Sequence, residues 1–86
     1  MSEEMIGKIS HYFSKVGVAV IELEKGSLKV GDTIHITGHT TDFTQVINSI
    51  EIENQKVDEV NPGDSFGIKV DDKVREHDVV YKVKED

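Results

Sequence analysis

Leu28-Lys29-Val30-Gly31-Asp32-Thr33-Ile34 decides how this chain is read. The stretch has the form of a tight turn feeding a strand. Gly31 can take a positive φ without steric cost, and the Asp32 carboxylate can bond nearby backbone amides. The same arrangement returns at Pro62-Gly63-Asp64-Ser65-Phe66. It returns again, with histidine in the place of glycine, at Glu76-His77-Asp78-Val79-Val80. Three turns of one kind, each launching an apolar alternating run, predict a small antiparallel barrel of short strands.

The runs around these turns supply six strands. Residues 1–4 read as a short polar tail, and Ile6 to Phe13 is the first strand. Val16 to Leu23 is nearly all apolar and rich in β-branched residues, which favours a strand buried on both sides or at a barrel corner. In Thr33 to Thr37, Ile34 and Ile36 point inward while Thr33, His35 and Thr37 point to solvent. Phe43 anchors the polar loop that follows. From Thr44 to Glu53 the alternation slips phase, because Ile47 with Ser49 and Ile50 with Ile52 fall on opposite faces. A bulge or bend near Asn48-Ser49 is therefore expected. Val57 and Val60 stand three apart and allow one helical turn at most. Phe66, Ile68 and Val70 share the inner face of the fifth strand, and residues 79–83 form the sixth. Residues 84–86 are a second polar tail, so the ordered core spans about 6–83. The expected fold is all-β, a six-stranded antiparallel barrel of Greek-key type, in one domain.

Composition narrows the function classes. The 86 residues are 36% hydrophobic and 31% charged, which suits one domain with a modest core. With no cysteine, disulfide frameworks and thiolate metal or redox chemistry are excluded. The acidic start resembles no secretory signal, and no apolar run approaches the roughly 20 residues that span a bilayer. No membrane partner and a cytoplasmic location are expected. The net charge is −7, made of −2 over residues 1–50 and −5 over 51–86. A general nucleic-acid binder gathers cations on one face, and this chain has no such cluster.

Gly26-x-Leu28-Lys29-x-Gly31-Asp32-x-Ile34, Val46-x-x-Ser49-Ile50-Glu51 and Pro62-Gly63-Asp64-x-x-Gly67-Ile68 together resemble the second, β-barrel domain of the translational GTPases. The resemblance covers roughly residues 6–83. It implies a stand-alone relative of the barrel that follows the GTPase domain in elongation factor Tu. It also implies a non-catalytic binding module, with tRNA, the ribosome or a translation-related protein as partner. No G-x-x-x-x-G-K-[ST] loop is present, so nucleotide hydrolysis is not implied. In the elongation factors, glycines around the second strand lie beside the pocket for the tRNA acceptor end. Here that region reads Lys15-Val16-Gly17-Val18-Ala19-Val20-Ile21, and only Gly17 matches. The barrel is also similar to the C-terminal accessory domain of collagenase-like peptidases. The alternative is therefore an accessory protein-interaction domain serving a separately encoded enzyme.

No constellation for catalysis stands out. His35 and His39 lie four apart on a strand and its following loop, so they need not converge on a metal. Glu51 and Glu53 read as a solvated pair, and no G-x-S-x-G elbow occurs. No catalytic residue, metal or cofactor is expected. The best binding candidate is His11-Tyr12-Phe13-Ser14-Lys15, where aromatic rings stand beside a cation and could stack on bases or hold a phosphate. His11, Tyr12 and Lys15 are its named residues. Lys73 and Arg75 form a second, smaller basic site.

Overall fold

The structure is a computed structural model that describes residues 2–84. It contains ten strands: β1 (Ser2–Phe13), β2 (Val18–Leu23), β3 (Leu28–Lys29), β4 (Thr33–Thr37), β5 (Asp42–Val46), β6 (Ile50–Ile52), β7 (Gln55–Val57), β8 (Glu59–Val60), β9 (Ser65–Lys69) and β10 (Val79–Lys84). Eight form one antiparallel sheet in the order β5-β4-β10-β1-β2-β9-β6-β7, and β3 pairs with β8 in a small second sheet. All pairings are antiparallel. The core is aliphatic: Ile6, Ile9, Ile21, Leu28, Ile34, Ile36, Ile47, Ile50, Val60 and Val80 are almost fully buried around one large ring, Phe66.

The three expected corners form, and they are built alike. At each, the fourth residue donates its N–H to the carbonyl of the first: Asp32 to Lys29, Asp64 to Asn61 and Asp78 to Arg75, at 3.0, 3.0 and 3.1 Å. Each aspartate then accepts the first residue's N–H on Oδ2, at 2.9, 2.8 and 2.9 Å. The third residue carries the positive φ of a type II turn: Gly31 at 100°, Gly63 at 96° and His77 at 76°. Histidine tolerates this region better than bulky residues do, and so the third corner keeps its geometry.

Each corner is also docked on a distant buried residue by a reciprocal pair of backbone bonds. Gly31 N–H donates to Ile47 O and Ile47 N–H to Asp32 O, at 2.9 Å each. Gly63 and Asp64 hold Leu23 in the same way, at 2.8 and 3.0 Å. His77 and Asp78 hold Ile9, at 2.8 Å both ways. One device thus joins the three corners to the core.

The long first strand bends twice. Its register slips between Met5 and Gly7 against β10, and between Ile9 and His11 against β2. The slips let Ile6 and Ile9, three apart, both face the core, which strict alternation forbids. Gly7 is obligatory at the first slip, because a Cβ there would overlap the Glu22 carbonyl oxygen.

The sheet does not close into a barrel. Backbone pairing ends at β5 on one side and β7 on the other among the described residues. The side chain of buried Gln45 spans part of the opening from β5: its Nε2 donates to Lys69 O at 2.9 Å, and its Oε1 accepts Asp71 N–H at 2.7 Å.

Several boundaries differ from the sequence reading. Strand β1 begins at Ser2, because residues 2–4 pair with Lys84, Val83 and Lys82 instead of forming a tail. Met1, Glu85 and Asp86, assigned to the polar tails, lie outside the described residues. Strand β2 begins at Val18, since Val16 and Gly17 belong to the turn, with Gly17 at φ 69°. The phase slip at Asn48-Ser49 is a full break: β5 ends at Val46, β6 starts at Ile50, and Ile47 and Ile50 are both buried. No helical turn forms at 57–60. Val57 ends β7 and Val60 belongs to β8, so their spacing marks a change of sheet. The β6–β7 hairpin turns on Glu53 and Asn54, at φ 50° and 67°, the positive pair of a type I′ turn.

Candidate functional site

Two concave surfaces are built on this frame. The first is a groove of about 440 Å³ over the outer face of β2, β9 and β6. Alternation puts Ala19 and Ile21 in the core and leaves Val18 and Val20 half-buried on the other side, in the groove. Phe13 and Val16 extend it from the β1–β2 turn and remain 49% and 60% exposed. Gly67 keeps the groove low, since a Cβ there would sit 3.3 Å from Val18 Cγ1. Glu51 and Glu53 give it an acidic rim, with Lys69 as the opposing charge. The sequence signal was the all-apolar run 16–21. In a domain with a thin core, such a strand has one apolar face more than the core can use.

The second surface is a polar cleft of about 670 Å³ between residues 38–43, the β4–β5 loop and the start of β5, and the loop at 71–75. Tyr12, Phe43 and Val74 supply its apolar parts, and Lys73 and Arg75 its cations. The third corner places Arg75, whose backbone N–H is held by Asp78. Gly38 packs so tightly on the Asp78 carboxylate that any Cβ would overlap it.

The sequence candidates are therefore regrouped. Tyr12, Lys73 and Arg75 line one cleft, although Tyr12 and Lys73 stand 61 positions apart along the chain. His11 does not join them. Neighbours on a strand face opposite ways, and His11 is exposed against Phe13, edge to face at 4.4 Å, with Glu76 at 3.7 Å. Lys15 sits exposed in the β1–β2 turn and lines neither surface. Glu51 and Glu53 are both exposed.

His35, expected to face solvent freely, is tied down on both sides. Its Nδ1 lies 3.0 and 2.9 Å from the two Glu3 carboxylate oxygens, and its Nε2 lies 2.5 Å from Asp42 Oδ1. With carboxylates at both nitrogens, both must donate, so this geometry belongs to the imidazolium. The Asp42 hydrogen bond, and then that of Glu3, hold the His35 pKa above its usual value. The described residues contain no group of three or more histidines and carboxylates placed to hold a metal ion.

Comparison with known proteins gives the kinship. Residues 17–80 match the family model described as elongation factor Tu domain 2. The chain is 42% identical over 78 residues to a collagenase of Porphyromonas gingivalis, covering 90% of this chain and 22% of that protein. It is 42% identical over 81 residues to a protease of Methanocaldococcus jannaschii, covering 93% of this chain and 20% of the other. The chain thus spans about a fifth of the length of the curated relatives it matches. Among solved structures, the C-terminal domain of a Geobacillus thermoleovorans protein assigned to the U32 peptidases superposes with a TM-score of 0.87. That match covers 94% of this chain and 93% of the other, and at 24% identity it speaks to the fold alone.

Proposed function

The chain belongs to the elongation factor Tu domain 2 family, and from that premise we propose that it is a non-catalytic accessory module of a peptidase, docking through the β2–β9–β6 groove. The observation that carries this reading is the 42% identity, along 90% or more of the chain, to proteases about five times its length. A segment that makes up a fifth of a protease, and that brings no expected catalytic residue of its own, serves best by holding something in place.

The groove gives that role a surface. Phe13 and Val16 are large apolar groups in water, and covering such groups on association is worth roughly 25 cal/mol per Å². They stand beside Val18 and Val20 in one patch, as the core of an interface requires. The acidic rim at Glu51 and Glu53 suits a partner face with cations around an apolar centre.

The translation reading, with tRNA or the ribosome as partner, has less behind it. The relatives above are proteases, and a net charge of −7 opposes a polyanion. Size-exclusion chromatography separates the two. Mixed with the catalytic region of a U32 peptidase from the same organism, the protein should co-elute with it, and it should leave bulk tRNA unshifted at moderate salt. Co-elution with tRNA and not with the peptidase would reverse the assignment.

A further inference from the structure

The cleft between residues 38–43 and 71–75 has no part in the docking just described, and its charges are arranged unevenly. Arg75 is the only arginine in a chain with 17 acidic residues, yet no carboxylate of the described residues pairs with it or with Lys73. The two acids in the same cleft are already engaged. Asp42 Oδ1 faces His35 Nε2, and Asp72 Oδ1 accepts the Lys73 N–H at 2.7 Å. What the cleft leaves unsatisfied is cationic: a guanidinium and an ammonium beside an apolar floor of Tyr12, Phe43 and Val74.

We propose that this cleft binds a carboxylate-bearing peptide segment, with Arg75 and Lys73 holding the carboxylate and Tyr12 and Phe43 taking an adjacent apolar side chain. Arginine's planar fork matches a carboxylate with two parallel hydrogen bonds, and lysine adds a point charge. The same cleft could offer these donors to a nucleic-acid phosphate. The remaining lining speaks for a peptide. Thr40 offers a hydroxyl that can accept a peptide N–H, and a single carboxylate can sit on the two cations away from Asp42 and Asp72, whereas a phosphodiester chain carries a charge at every residue and meets those two carboxylates as well.

The test is a titration of the isotope-labelled protein, followed by NMR, with an N-acetylated Gly-Phe-Asp-Glu peptide. Its Asn-Gln amide counterpart and a short oligouridine serve as comparators. The acidic peptide should shift signals of Tyr12, Phe43 and residues 72–75. Arg75→Gln should weaken binding about tenfold or more, the size of one lost charge-assisted pair. Lys15→Gln, on a cation outside the cleft, should leave it unchanged. Arg75 is exposed and meets the fold through its backbone N–H, so the variant keeps the native structure to be titrated. No shift at the cleft, equal binding by Arg75→Gln or by the amide peptide, or tighter binding of oligouridine at these residues would each overturn the proposal.

Discussion

The corner at Gly63-Asp64 and the corner at His77-Asp78 make the same four backbone and side-chain connections with different residues at the position of positive φ. One has proline and glycine, the pair that suits a type II turn; the other has glutamate and histidine. The difference teaches that the aspartate and the docked aliphatic residue define the corner, and glycine only lowers its conformational cost. The two corners also deliver different surfaces. The first launches β9, the floor of the apolar groove, and the second carries Arg75 into the polar cleft.

The largest effect expected from breaking this comparison is at the aspartates. Asp78 is 5% exposed and packed on Gly38, whereas Asp64 is half-buried. Asp78→Ala should therefore cost about 2–3 kcal/mol, and Asp64→Ala about 1–2 kcal/mol, by urea denaturation. Equal losses would mean that burial does not strengthen the corner. Next comes Gly63→Ala, where no atom lies within 4 Å of the added Cβ. Its cost is then purely that of the left-handed backbone, about 1–2 kcal/mol. The smallest change is His77→Gly. It relieves strain in the folded chain but loosens the unfolded one, for a net gain of about 0.5 kcal/mol at most.

Acidity should separate the two corners as well. Asp42 and Glu3 clasp His35 and so hold down β5, whose preceding loop carries Gly38 against Asp78. Tyr81 on β10 is the other ring beside it, with centroids 6.3 Å apart. The folded pKa of His35 is raised above its unfolded value, so its stabilisation is complete below about pH 6.5 and is lost as pH rises through the folded pKa. Wild type should exceed His35→Gln in urea stability at about pH 5 and lose that advantage at about pH 9. An advantage that grew with pH would contradict the imidazolium assignment.

Much of this architecture was written in local chemistry. Gly31-Asp32, Gly63-Asp64 and His77-Asp78 were legible because a turn of this kind depends on residues within four positions. The break at 47–49 was legible because Ile47 and Ile50 cannot share a face in an unbroken strand. The docking of the corners on Ile47, Leu23 and Ile9 was not legible, since nothing local links those residues to the turns. Strands β3 and β8, two residues each, are too short to show a period. Val57 and Val60 imitated helical spacing because a change of sheet lies between them. The same limits shaped the candidate sites. His11, Tyr12 and Lys15 looked like a cluster because they are close in sequence, yet strand alternation alone separates His11 from Tyr12. Tyr12 meets Lys73 and Arg75 only through the fold.

Hydrogen exchange of the protein, alone and with the catalytic region of a U32 peptidase, tests the docking surface most directly. Backbone amides at 13–20 and 65–69 should slow on binding, and Phe13→Asp with Val16→Asp should abolish the change. Protection confined to residues 38–43 and 71–75, or none at all in a mixture at high concentration, would contradict docking through the groove.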